Sequence, residues 1–169
     1  MKTFIKFLLL AAAVVFLTWL FVNYASAATV KKNDESIPLG LRAAATRVCA
    51  LWEFKDLRCR NDLLAIAWQE SKFDANAKGD WNGKKFCSLG LMQLNRCSIY
   101  SYIHPDMFWN PEKAMFVTLQ YLVEHGYPRE REFAIRAYNC GYEWARKGCG
   151  TSYLFWVDTS SRWYEYPQE

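Results

Sequence analysis

Six cysteines, Cys49, Cys59, Cys87, Cys97, Cys140 and Cys149, constrain this chain more than any other feature. The count is even, and successive partners lie 10, 10 and 9 residues apart. In an exported domain such a set reads as three disulfides, and neighbour pairing is the simplest of the many possible connectivities. Metal binding is the rival use of cysteine. The chain has no Cys-x-x-Cys, and His104 and His125 are too far apart for a ligand pair, so no metal and no cofactor are expected. A Cys/His nucleophile falls with it, because three disulfides would leave no thiol.

The N-terminus agrees with export. Lys2 and Lys6 precede Phe7–Val22, an uncharged run of 16 residues broken only by Thr18, and Ala25-Ser26-Ala27 follows. A positive start, an apolar middle and a small-x-small site describe a signal peptide over residues 1–27. The alternative is an uncleaved anchor in the inner membrane, for which 16 residues is slightly short. Loss of 1–27 would take the net charge from +4 to +2 and leave 142 residues, one compact domain. Residues 28–38 read as a polar lead-in, 39–157 as the folded domain and 158–169 as a C-terminal tail. So mild a charge does not indicate a nucleic-acid partner, and none is expected.

With 52% hydrophobic residues the chain is globular, and its apolar periodicity is helical. The spacing predicts a helix over 39–52 and a second over 63–71 capped by Asn61-Asp62. Residues 74–88 are dense in turn formers and predict an irregular or hairpin-like lobe. Leu89–Tyr102 stays ambiguous. Asn110-Pro111 opens a helix that ends before Gly126, and another is expected over 129–139, closed by Gly141. The fold class is therefore α+β, mainly α, with a small hairpin lobe.

Glu70 is the candidate for chemistry. The stripe Leu63, Ile66, Ala67 places it on an apolar face at a helix end, where desolvation raises a carboxyl pKa and lets it hold a proton near neutrality. A retained proton is what a general acid needs to expel a sugar leaving group. On periodicity alone, a last-turn glutamate reaching solvent is the commoner outcome.

The neighbouring motifs weigh against the bland alternative. Glu70-Ser71-Lys72-Phe73 is followed by Gly90-Leu91-Met92-Gln93 and then by Ala137-Tyr138-Asn139-Cys140-Gly141. In order and spacing these resemble the soluble lytic transglycosylase (SLT) family of the lysozyme-like superfamily, over about residues 40–157. Cys87-Ser88-Leu89 stands where that family often carries Gly-Ala, and the short form is similar to transglycosylases of conjugation, secretion or phage-entry machines. The resemblance implies a lysozyme-like fold in which Glu70 is the single acid/base cutting the bond between N-acetylmuramic acid and N-acetylglucosamine in peptidoglycan. It implies substrate contacts from Ser71, Gly90, Met92, Gln93, Tyr138, Asn139 and Tyr153. Gly90 would admit the sugar close to the backbone, Met92 would line an irregular wall, and Gln93 would offer a donor and an acceptor. By spacing alone Leu91, Met92 and Leu94 read as core, and only the resemblance makes Gln93, Tyr138 and Asn139 site residues. A Cys140–Cys149 bond would brace the wall around Asn139, and Trp81 is the leading candidate for an exposed aromatic that stacks on a sugar.

Three alternatives carry different tests. A goose-type-like muramidase would use water and a second carboxylate about 6.5–9.5 Å from the acid in an inverting scheme, for which Asp74, Asp80 and Asp106 are candidates. A non-catalytic peptidoglycan-binding component of an envelope assembly would keep the groove with an idle acid. The transglycosylase itself would work in the periplasm or cell envelope, with glycan strands and an envelope-spanning secretion, conjugation or phage assembly as its partners.

Overall fold

The computed structural model describes residues 37–164. The signal-peptide or anchor reading of 1–27, nearly all of the lead-in and the last five residues lie outside these. The described residues form seven helices and a three-stranded antiparallel sheet. They are α1 (Leu39–Leu51), α2 (Leu57–Ser71), β1 (Lys78–Trp81), β2 (Phe86–Leu89) and β3 (Leu94–Asn95), then α3 (Asp106–Trp109), α4 (Pro111–Glu124), α5 (Arg131–Cys140), α6 (Tyr142–Arg146) and α7 (Thr151–Trp163). A mainly helical body with a small sheet lobe is the lysozyme-like architecture. No helix among the described residues is long and apolar enough to cross a membrane.

Helix α2 is the axis of the core. Leu63, Leu64, Ile66 and Ala67 have no exposed surface, and they meet Val48 of α1, Met115, Leu119 and Leu122 of α4, Ile135 of α5 and Val157 of α7 in one cluster. An axial helix covered on so many sides needs an apolar surface nearly all round, which explains its weak amphipathic pattern. It begins six residues earlier than the expected start at 63. Asp56 is the N-cap, its side chain accepting from the Cys59 amide, and Asn61-Asp62 lie inside the helix, about 1% exposed. Asp62 tolerates burial because Arg131 donates to both of its oxygens, at 2.7 and 2.6 Å, and the Tyr127 hydroxyl donates at 3.0 Å. Arg131 also donates to Asp158 at 2.6 Å, joining α2, α5 and α7.

Other boundaries follow local chemistry as expected. Asn110 caps α4 by accepting from the Lys113 amide, with Pro111 in the first turn. Gly141, at φ 83°, closes α5. The turn-rich segment forms a hairpin whose tip is set by Asn82, its Oδ1 accepting from the amides of Lys84 and Lys85. Strand register is Lys78↔Leu89, Gly79↔Ser88 and Trp81↔Phe86, then Ser88↔Asn95 and Leu89↔Leu94. Helix α7 has no side-chain cap and starts after Gly150 in the left-handed region. It runs past residue 157 and buries Ser160, Ser161 and Tyr164.

Two of the expected disulfides form. Cys49–Cys59 ties the end of α1 to the start of α2, and Cys87–Cys97 ties β2 to the segment after β3. The third does not: Cys140 and Cys149 are both free. The Cys140 thiol donates to the Arg136 carbonyl one turn back along its own helix, while Cys149 sits exposed between two positive-φ glycines, Gly148 and Gly150. With free thiols present, the exclusion of cysteine chemistry needs another basis. Burial, together with the neighbouring Cys149 thiol, pushes the Cys140 thiol up to about 11, so it is not a thiolate at neutral pH. Among the described residues no cluster of His, Cys, Asp or Glu has a metal-binding arrangement.

Candidate active site

The α2 helix stops immediately after Glu70 and Ser71 because Lys72 and Phe73 turn into the left-handed region at φ 54° and 68°. That break leaves the Glu70 carboxyl in a groove of about 390 Å³ between the helical body and the sheet lobe. It is lined by Asp80 and Ser88 of the hairpin, by Gln93, Asn95, Ile99 and Tyr100 of the segment that follows, and by Tyr138 and Asn139 of α5. The Tyr153 hydroxyl, from α7, donates to Glu70 Oε1 at 2.5 Å.

Burial pushes the Glu70 carboxyl up to about 7. The Tyr153 hydrogen bond and the Lys72 charge oppose this, and the negative charge of Asp80 adds to it. Asp80 itself is exposed at a left-handed φ of 53°, and it stands opposite Cys87 without entering the ladder. A regular strand would turn it to the Cys87 face. The positive φ brings it round to Ser88, whose hydroxyl donates to Asp80 Oδ2.

The expected site residues separate into three groups. Glu70, Gln93, Tyr138 and Asn139 meet in the groove, and Tyr153 reaches it through Glu70. The Tyr138 hydroxyl donates to the Met92 carbonyl at 2.5 Å and therefore accepts from Thr118 Oγ1, 3.2 Å away. Gln93, at φ 48°, donates from Nε2 to the Gly90 carbonyl at 2.8 Å and presses its amide oxygen toward Gly79.

Gly90 and Met92 do not line the groove. Gly90 is buried at φ 73°, and a Cβ there would lie 1.7 Å from the Phe108 carbonyl oxygen, so its missing side chain admits the Phe108 backbone. Met92 is 0% exposed and belongs to the core. Ser71 turns away as well, its hydroxyl donating to the Ala67 carbonyl at 3.2 Å within α2.

Asn95 and Tyr100 were missed in the ambiguous stretch 89–102, and Ser88 was read only as part of a departure from a motif. Tyr100 is 7% exposed, and its hydroxyl has no hydrogen-bond partner although the residue lines the groove. A buried orphan hydroxyl at the edge of a cavity is a group that a polar ligand would satisfy. Nothing in local sequence marks it, because its position depends on the turn-rich path between β3 and α3.

A groove holding one desolvated carboxyl, a tyrosine donor and several amides can protonate and orient a polyhydroxylated substrate. The family model described as "Transglycosylase SLT domain" matches residues 57–153, more than half of the chain. The match opens on the first residue of α2 and ends on Tyr153, so it spans the two elements that hold the carboxyl and its donor. The chain thus belongs to the transglycosylase SLT domain family, in the lysozyme-like superfamily. No curated protein and no solved structure matches it.

Proposed function

We propose that this protein is a peptidoglycan lytic transglycosylase in which Glu70 is the only acid/base. The observation that carries it is the Glu70 carboxyl itself, desolvated in the groove, held by Tyr153 and raised to about 7. At neutral pH a large fraction of such a group keeps its proton while its conjugate base stays accessible, which suits both halves of the reaction.

In the first half Glu70 gives its proton to the glycosidic oxygen as the bond to the muramoyl anomeric carbon breaks. The substrate's acetamido group stabilises the carbon in place of a second protein carboxylate. In the second half the ionised Glu70 takes the proton of the muramoyl 6-hydroxyl, whose oxygen bonds to the anomeric carbon and closes a 1,6-anhydro ring. No water enters and the proton count balances. Gln93 and Asn139, which line the groove, would hold acetamido or hydroxyl groups of the substrate. The place of action is the periplasm or cell envelope, with glycan strands as substrate and an envelope-spanning assembly as the setting.

Mass spectrometry of muropeptides released from purified peptidoglycan tests this. Anhydro-muropeptides are expected from residues 28–169 and none from Glu70→Gln. Asp80 favours a second reading, because it is a carboxylate lining the same groove, whereas Asp74 and Asp106 do not line it. In that case the enzyme hydrolyses, products have reducing ends, and Asp80→Asn abolishes them. An idle binding component would release nothing and still retain strands.

A further inference from the structure

We propose that the Trp81–Phe86 pair, on the outer half of the hairpin, is a sugar-stacking platform that carries the uncut part of a peptidoglycan strand beyond Ser88. It rests on the reading of the groove as a glycan site and adds to it a second point of contact.

Strand geometry carries the placement. Ser88 lines the groove, and side chains on a strand return to the same face every second residue, so Phe86 shares the Ser88 face. Trp81 pairs with Phe86 across the ladder, and its ring lies against the Phe86 ring with centroids 5.0 Å apart at 58°. The two rings therefore lie two residues of strand, about 7 Å, beyond the groove-lining Ser88.

The surface between is kept low. Gly79 pairs with Ser88, and a Cβ on Gly79 would meet Gln93 Oε1 at 2.5 Å. No side chain therefore rises from Gly79 between the Gln93 amide and the rings.

Exposure and surroundings select the occupant. Trp81 is 58% exposed and Phe86 38% exposed. Their neighbours Asp80, Asn82, Lys84 and Lys85 are all polar and exposed. A protein-docking patch joins apolar side chains into a continuous area, whereas two rings rimmed by charge and amide suit a ligand with apolar C–H faces and polar edges. A pyranose has that form, and continuity with the groove makes it the next sugar of the same strand.

Calorimetry of soluble, uncross-linked glycan strands of graded length with the Glu70→Gln protein tests the platform. Long strands are expected to bind this parent more tightly than short ones. Adding Trp81→Ala should weaken long-strand binding about tenfold, the upper end of an aromatic contact, and erase the length dependence. Trp81→Tyr should restore most of both, which a loss of folding in Trp81→Ala would not explain. In the Glu70-intact enzyme KM for long strands should rise with little change in kcat. Trp81→Ala that melts earlier yet keeps the affinity and length dependence would reduce the pair to cross-strand packing and overturn the proposal. A Glu70→Gln protein that binds no strand of any length, with a wild type that releases no muropeptide, would overturn the glycan reading and the platform together.

Discussion

Helix α2 turns two carboxylates inward, Asp62 and Glu70, and surrounds them differently. Asp62 sits mid-helix, 1% exposed, and accepts three hydrogen bonds, two of them from one guanidinium. Glu70 sits at the helix end, accepts one hydrogen bond from a neutral hydroxyl, and faces a cavity. Desolvation pushes both carboxyls up, but at Asp62 it is opposed by Arg131 and Tyr127, whose bonds have no function outside the fold. Burial alone therefore does not single out a candidate acid. What separates the two is whether the partner is a charge that consumes both oxygens or a hydroxyl that leaves one available to a substrate.

The most severe way to probe the contrast is Glu70→Gln. Muropeptide release should fall by about 10²–10⁴-fold, the range of a general acid/base. Stability should move the other way. With a folded pKa of about 7 against a usual 4.5, Glu70 ionises more reluctantly in the folded state, so it destabilises the fold increasingly as pH rises through that window. Glu70→Gln should accordingly melt above the wild type at pH 8, with the difference shrinking toward pH 4.5, as calorimetric scans at both pH values would record.

Arg131→Met should invert this pattern. Leaving Asp62 buried without its cation should cost about 3–5 kcal/mol in denaturant unfolding, while the molecules that remain folded keep their pH–rate profile. Tyr153→Phe comes next. Its hydroxyl stabilises the ionised form of Glu70, so its loss should raise the Glu70 pKa and move the alkaline limb of the rate profile upward, at about 1 kcal/mol of fold stability. Asp80→Asn should move the same limb downward and by less, since Asp80 is exposed and added salt screens its charge. The smallest effect is chemical: alkylation of the native protein near neutral pH should modify exposed Cys149 before Cys140 and leave the Cys49–Cys59 and Cys87–Cys97 bonds intact, by peptide mapping.

What could be read in advance was local. The cap at Asn110-Pro111, the stop at Gly141, the hairpin turns and Glu70 at the end of an apolar stripe are all set by residues within a turn or two of one another. What escaped depends on partners far along the chain. Asn61-Asp62 looks like a cap until Arg131, 69 residues later, supplies the charge that lets Asp62 sit inside a helix. The space that the missing side chain of Gly90 leaves is taken by Phe108. Tyr100 lies in a stretch with no clear period, and α7 begins on a glycine with no side-chain cap to announce it.

The Tyr153 hydrogen bond spans 83 residues and comes from the last helix of the domain. A ribosome therefore makes the acid long before it makes the group that holds it. Gln69 Nε2 to Ser160 Oγ and Arg131 to Asp158 fasten the same late helix to the body. A chain stalled or clipped before residue 151 would carry every residue that lines the groove and still lack the hydroxyl that donates to Glu70. Chain order thus makes the hydrogen bond on this carboxyl depend on the helix that is synthesised last among those described.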